Sequence, residues 1–373
     1  MKKYTYRNGE TRTKPREICY SSHIDRYIYE YYNYLLNESY NSYAKSNGIN
    51  KCAVAYRNNL HQNNITIAKE VFNFIKSGDK YFILISDFTG YFDKIDHKNL
   101  KKNLEIVLNV DRLSNDWYKV FKSVTKYSYI DLDNIAEFKK MSLREVRKGN
   151  RIANVVELHE LKKHLRKNKN VFGIPQGSSI SSTLSNVNLI DYDKELNNYV
   201  TAKNGLYRRY CDDLIVIIPE VFEKELLDKF QYLNSNTPGL EVNDDKMQMF
   251  YYSNHRVYHN NEYSKIKYLG FEFNGSDVRI KERTVTCFYL KAYRLINGIN
   301  KISERHKRNA YRRQFYKTFT HLGMKKTKKN RGNFLTYVDK CSHILSEPDI
   351  KKQLSHHWNR FSKRLVKFTK DGT

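Results

Sequence analysis

Apolar and polar positions alternate along this chain in two periods, and the switches between them mark out its elements. From 22 to 46 apolar and tyrosyl positions recur at helical spacing (Ile24, Ile28, Tyr31, Leu35), which predicts an amphipathic helix after a short basic strand around Lys14-Pro15-Arg16. The run Tyr81-Phe82-Ile83-Leu84-Ile85 predicts a buried strand ending at Asp87, and Asp96 is placed to cap a helix starting near His97. Between 103 and 170 the pattern is helical and charged. A Gly173-Ile174-Pro175-Gln176-Gly177 turn then opens a polar helix from about 179 to 200. A hairpin follows, with arms 206–210 and 214–218 and Cys211-Asp212-Asp213 at its tip. Beyond it the pattern predicts a helix from 219 to about 233, a strand through Leu240 and Met247, a second hairpin from 267 to 280, and a helical, basic remainder.

Composition narrows the class. With 373 residues, 40% of them hydrophobic, the chain can bury one large core or two to three ordinary ones. Lys and Arg number 67 against 40 Asp and Glu, a net charge of +27, and such self-repulsion points to an anionic partner, nucleic acid first. The excess is uneven: from 291 to 373 there are 22 Lys and Arg against 5 Asp and Glu, +17 of the total, as expected of a phosphate-gripping module. The five cysteines (19, 52, 211, 287, 341) form no C-x-x-C pair and no metal-ligand spacing, so a reducing cytoplasm is the expected setting. No signal-peptide core and no run of 18 apolar residues is present, and no membrane association is expected.

A carboxylate ending a buried apolar strand is costly unless it meets a cation or hydrogen-bond donors, and Asp87 sits there. Adjacent carboxylates on a hairpin tip, Asp212 and Asp213, repel each other unless a multivalent cation lies between them and other acids. Oxygen ligands select magnesium or manganese. If the two strands lie side by side, the three carboxylates converge into a two-metal site suited to phosphoryl transfer. A lone Asp-Asp turn is more often solvated; the combination and its order carry the reading.

Those residues resemble the ordered motifs of reverse transcriptases. Asp87-Phe88-Thr89-Gly90-Tyr91-Phe92-Asp93 is similar to motif A, and Gly173 to Gly177 with Ser181, Leu184, Ser185 and Asn186 to motif B. Tyr210-Cys211-Asp212-Asp213 is similar to motif C, the segment 239–243 with Lys246 to motif D, and Tyr268-Leu269-Gly270-Phe271 to the primer-grip hairpin of motif E. Lys14 to Ile18, His23-Ile24-Asp25-Arg26 and Ala55-Tyr56-Arg57 resemble finger segments, so the likeness spans roughly 14 to 280. It implies an α+β right-hand polymerase with fingers at 1–80, a ferredoxin-like palm at 81–280 holding a finger insertion at about 104–170, and a basic helical thumb at 281–373.

The resemblance also implies roles. Asp87 and Asp212 would ligate two magnesium ions (manganese as a substitute), with the Phe88 carbonyl and Asp213 in support. Phe92 matches the gate that excludes a 2′-hydroxyl, Gln176 would touch the incoming nucleotide, and Arg16 and Arg57 would meet the triphosphate or template. Lys246 matches the residue that protonates departing pyrophosphate, and Gly177, Tyr268, Leu269 and Gly270 would face template and primer. Gly177 is followed by Ser178-Ser179-Ile180-Ser181-Ser182 without the prolines many relatives carry, and Cys211 reads as packing, with no nucleophilic role.

Basic residues from Arg294 to Arg313 and the run 325–329 lie among Tyr293, Tyr311, Phe315 and Phe319, a pattern expected to grip a duplex. The segments 332–337 and 356–360 look like the C-terminal helices of bacterial defence-associated and abortive-infection reverse transcriptases. That branch implies an antiphage role, a dedicated non-coding RNA as template, DNA as product, deoxynucleoside triphosphates as substrates, and a partner protein or self-association. Retron or intron-type enzymes, an untemplated or protein-primed DNA polymerase and an RNA-directed RNA polymerase are the alternatives. A silent RNA-binding scaffold would not need the three carboxylates.

Overall fold

The computed structural model of the chain describes residues 3–7, 10–14, 17–148, 153–242, 246–324 and 332–365. Compactness divides the chain into two units. One comprises Met1–Asn59, Ile85–Val216 and Glu223–Met247, the other Leu60–Leu84, Ile217–Phe222 and Gln248–Thr373.

The first unit opens with an antiparallel hairpin, β1 (Lys3–Arg7) and β2 (Glu10–Lys14), then a helix His23–Ser46 whose cap is Ser22, its Oγ accepting from the Asp25 amide. The expected apolar stripe of that helix is corrected. Leu36, Tyr40 and Ala44 are its buried residues, while Ile24 is 74% exposed and Ile28 and Tyr31 are exposed too. The N-terminal half packs through a different face, where the Tyr29 and Tyr32 hydroxyls donate to Ser123 and Asp116 on the helix Asn115–Thr125.

Strand β3 (Lys80–Asp87) ends in this unit and leads to the helix His97–Leu108, capped as expected by Asp96, which accepts from the Asn99 amide at 2.7 Å. A short pair, β4 (Ser128–Tyr129) with β5 (Arg166–Lys167), brackets small helices around Ile135, Ala136, Val146 and Leu161, a core local to that insertion. The single helix expected from 179 to 200 is two, Ser181–Val187 and Ile190–Ala202. The break falls at Asn188, whose carbonyl accepts from the side-chain amides of Asn99 and Asn103 and so ties the chain to a neighbouring helix. The hairpin β6 (Leu206–Tyr210) and β7 (Asp213–Pro219) falls where the alternation predicts it.

In the second unit, helix Asn64–Lys76 starts on a reciprocal Asn63 and Thr66 cap and buries Ile65, Ala68, Val71, Phe72 and Ile75. Strands β8 (Gln248–Ser253), β9 (Arg256–His259) and β10 (Glu262–Tyr263) form an antiparallel meander, and the full sheet has the order β10-β9-β8-β3-β7-β6. The strand expected near 240–247 begins later, at Gln248. The second hairpin is a three-stranded sheet of β11 (Ile266–Tyr268), β12 (Phe271–Phe273) and β13 (Val278–Ile280). The remainder is helical, led by Glu282–His306 and Phe334–Leu345. Phe361, fully buried, packs on Phe288, Tyr289, Phe315 and Phe319. Phe315 and Phe319 therefore build this core and are not available to nucleic acid, as the basic and aromatic pattern had suggested.

Candidate active site

The apolar run of β3 buries Phe82, Ile83 and Leu84 completely and delivers Asp87 to the strand end, where its side chain keeps only 12% exposure. The chain then passes between two segments. The Phe88 amide donates to the Asp212 carbonyl at 3.2 Å, and the Thr89 amide donates to the Glu241 carbonyl at 2.8 Å. Asp87 is thereby set beside the hairpin tip on one side and Glu241 and Lys246 on the other, as the convergence of strand ends requires. Asp212 is half-buried and Asp213 exposed.

At the tip Cys211 adopts a left-handed backbone, φ 62°, which costs a side-chain-bearing residue about 1–2 kcal/mol. A buried ion pair holds that conformation. The Arg209 guanidinium donates to both oxygens of Asp193, at 2.9 and 2.5 Å, and its remaining nitrogen donates to the Cys211 carbonyl at 2.9 Å. Both charged side chains have zero exposure. Tyr207 donates to Asp193 at 2.7 Å; burial, and after it the Asp193 charge, raise its hydroxyl well above the ordinary range and keep it a donor. Sequence reasoning passed over Arg209 and Asp193. The available signal was an arginine pair inside the short strand Leu206–Tyr210, between apolar neighbours. Burial pushes the Cys211 thiol up to about 12, with the Asp212 charge next in weight, which fits the packing role expected of it.

Asp87 meets the Lys246 ammonium through Oδ2, and its buried Oδ1 has no hydrogen-bond partner among the described residues. A half-satisfied buried carboxylate is unfavourable by more than an ordinary lost hydrogen bond. The orphaned oxygen and the neighbouring Asp212 and Asp213 are hard donors of the kind divalent cations take. By that chemistry the residues present fit a divalent ion. Among the described residues, however, no three His, Cys, Asp or Glu side chains are grouped so as to enclose a metal.

The motif B turn lies along the motif A segment. Gly173 donates to the Ile95 carbonyl at 2.8 Å, Ile174 to the Phe92 carbonyl at 2.9 Å, and the His97 ring meets the Gly173 carbonyl at 2.8 Å. His97, read in sequence only as the start of a helix, has its protonation disfavoured chiefly by burial. Phe92 is half-exposed, edge-on to the buried Tyr91 at 5.8 Å, so its ring is not core. Gln176 is half-buried, and its carbonyl accepts from the Cys19 amide at 2.8 Å. Gly177, φ 109°, has its α-carbon under the Cys19 carbonyl, where a Cβ would stand 2.5 Å away. The close approach its missing side chain permits is to Cys19.

Arg57 is held by its neighbours. It is 4% exposed and donates to the Asn41 side chain at 2.9 Å, the Asn50 side chain at 2.6 Å and backbone carbonyls of Asn50 and Ala53, with its guanidinium over Tyr40. Four of its five N–H donors are taken up by Asn41, Asn50 and Ala53. Arg16, Asn243 and the run 325–329 lie outside the described residues. Tyr268, Leu269 and Gly270 belong to the second unit, where Leu269 (φ 43°) and Gly270 (φ 95°) make the two-residue turn from β11 to β12. The Leu269 carbonyl accepts from Asn64, which also meets the Tyr337 hydroxyl.

A sequence profile of the family described as reverse transcriptase (RNA-dependent DNA polymerase) matches residues 47–273, which include Asp87, Asp212, Asp213 and Lys246. The chain belongs to the reverse transcriptase family. Its members are RNA-directed DNA polymerases, hence nucleotidyltransferases, of right-hand fold, and they generally use divalent metal ions. No curated protein matches the chain significantly. Solved structures similar to it include apo telomerase from Candida tropicalis, at 14% identity and TM-score 0.43, covering 92% of this chain and 52% of that one. Telomerase from Candida albicans in complex with a fragment of telomeric RNA is similar at 13% identity and TM-score 0.42, over 91% and 54% of the two chains. The chain spans about half the length of these structures. No described helix of this reverse transcriptase is long and apolar enough to cross a membrane.

Proposed function

We propose that this reverse transcriptase copies RNA into DNA, adding deoxynucleotides to a 3′ hydroxyl at Asp87, Asp212 and Asp213. The observation that carries the reading is the hydrogen bond from the Phe88 amide to the Asp212 carbonyl, which sets the motif A strand end against the motif C tip, beside a buried Asp87 oxygen without a partner. Asp87 and Asp212, with the Phe88 carbonyl and Asp213, would hold magnesium. Two such ions, when bound, supply the charge that activates the attacking hydroxyl and steadies the leaving pyrophosphate.

The protein's own groups supply the rest. The half-exposed Phe92 ring would lie under the sugar and exclude a 2′-hydroxyl. Gln176, fixed by Cys19, would meet the nucleotide. Lys246, already on Asp87, would move to the pyrophosphate and give it a proton when a metal takes its place. The turn Leu269-Gly270 would support the primer. Fingers at 1–80, palm at 81–280 and thumb at 281–373 would then divide template, chemistry and duplex, with the +17 charge of residues 291–373 on the product side. Sequence likeness in the thumb supports a finer assignment: a bacterial, cytoplasmic defence enzyme whose template is a dedicated non-coding RNA.

The test is extension of a primer on an RNA template with magnesium and either deoxynucleotides or ribonucleotides, by the natural protein and the Asp212→Ala, Asp213→Ala variant. Copying that requires deoxynucleotides and disappears in the variant supports the proposal. Equal use of ribonucleotides, or copying that survives the variant, overturns it. Sequencing of the RNA that copurifies from the native host tests the defence assignment, and a random cellular sample would sink it.

A further inference from the structure

At the open edge of the six-stranded sheet, three tyrosines stand directly across from one another. Tyr251 of β8 pairs with Tyr258 of β9, and Tyr258 with Tyr263 of β10. Directly opposed residues share a sheet face, so the row lies on one side, while the buried Phe250, Tyr252 and Val257 alternate to the other. Exposure rises outward along the row, from half-buried Tyr251 and Tyr258 to Tyr263 at 65%. The Tyr258 and Tyr263 rings stack at 5.2 Å with 28° between planes, and the Arg256 guanidinium lies over Tyr263, 4.8 Å from its centroid.

A cavity of about 560 Å³ opens beside this tier, lined by His255, Arg256, Tyr263 and Lys265 together with Asn274 and Asp277. Its walls are braced. Val257 donates to the Asn274 carbonyl at 3.2 Å and Ser276 Oγ donates to the His255 carbonyl at 3.1 Å. Gly275, φ 111°, lets that turn pack closely: a Cβ there would lie 2.4 Å from the His255 carbonyl oxygen. Asn254 and His255, both at positive φ, form the tight turn that places Arg256 at the cavity mouth.

An arginine, a lysine and an imidazole facing one carboxylate favour an anion, and an exposed ring stacked on a second ring, with a guanidinium over it that also donates to its hydroxyl, favours a flat base. A phosphopeptide would use the cations and leave the ring idle; a nucleotide chain uses both. We propose that this edge pocket binds single-stranded RNA, one base stacked on the Tyr263 and Arg256 platform and an adjacent phosphate held by Arg256 and Lys265. None of these residues belongs to the candidate active site, and the proposal does not depend on polymerase activity.

The experiment is photocrosslinking of unprimed RNA carrying 4-thiouridine to the full chain, with peptide mapping. Fluorescence anisotropy of a fluorescein-labelled uridine oligomer over a salt series runs alongside. Crosslinks to the peptide holding Tyr263 are expected. Arg256→Ala with Lys265→Ala should lower affinity about tenfold and reduce the log–log salt slope by about 0.7, the value for one phosphate on a single strand. Tyr263→Leu, a milder change for folding, should lower affinity about fivefold or more with the salt slope unchanged. Extension of an annealed primer should stay at the natural level in both. Crosslinks confined to other segments, unchanged affinity and slope, or loss of primer extension in step with binding would each overturn the proposal. So would loss of phosphoserine-peptide binding with RNA binding intact.

Discussion

Two carboxylates in the same unit meet cations in opposite ways. Asp193 has both oxygens engaged by Arg209 and a third donor in Tyr207, with no exposure on either charged partner. Asp87 has one oxygen on a lysine whose side chain is 54% exposed and another with nothing to accept. The first pair is complete, so it can only position; its product is the backbone of Cys211 and the direction of Asp212. The second is incomplete, and the missing partner is what a bound cation would provide. A folded protein tolerates such a deficit chiefly where function uses it.

The largest expected effect breaks the complete pair. Arg209→Met leaves the Asp193 charge buried and uncompensated and should lower stability by about 3–5 kcal/mol in urea titration. Adding Asp193→Leu should restore much of it; no recovery in the double variant would mean packing, not charge, holds the tip. The incomplete pair should respond in reverse. Asp87→Asn removes a costly charge, so stability should hold within about 1 kcal/mol while polymerisation falls on the order of a thousandfold, both readable on one preparation. A smaller effect separates Lys246 from its neighbour. Lys246→Met should lower kcat about a hundredfold as the proton donor is lost, yet reduce the magnesium concentration needed for half-maximal rate, because a competitor for Asp87 is gone. A raised magnesium requirement would contradict that competition.

The smallest effect concerns the thiol at the tip. Its raised pKa means that the unfolded chain ionises Cys211 near the ordinary 9.0 while the folded chain does so only near 12. The stability this difference supplies is whole below pH 9 and lost as pH rises toward 12. Alkylation at pH 8 followed by mass spectrometry should therefore modify the exposed Cys287 and spare Cys211, Cys52 and Cys341, all buried.

The same contrast explains what the sequence reveals. Asp87, the hairpin of Asp212 and Asp213, and the Asp96 cap are legible because each is set by local pattern: an apolar run, an alternation, a side chain three residues from its amide. The Ile24, Ile28 and Tyr31 stripe misleads because helical spacing says that residues share a face, not which face finds a neighbour. Arg57 looks available in sequence and is spent on Asn41 and Asn50; Arg209 looks like one more surface cation and is the anchor of the tip. Both depend on a partner 16 residues earlier, brought close by folds of the chain that periodicity does not encode. The helix break at Asn188 has the same origin, a carbonyl claimed by Asn99 and Asn103.

Metal binding is the property on which these carboxylates most directly depend. Manganese binding followed by electron paramagnetic resonance, on the protein assembled with a primed RNA template and an unreactive deoxynucleotide analogue, should show two ions per complex. The Asp87→Asn, Asp212→Asn variant should lose them together with primer extension. Undiminished manganese stoichiometry in that variant, with extension retained, would contradict the assignment of these carboxylates.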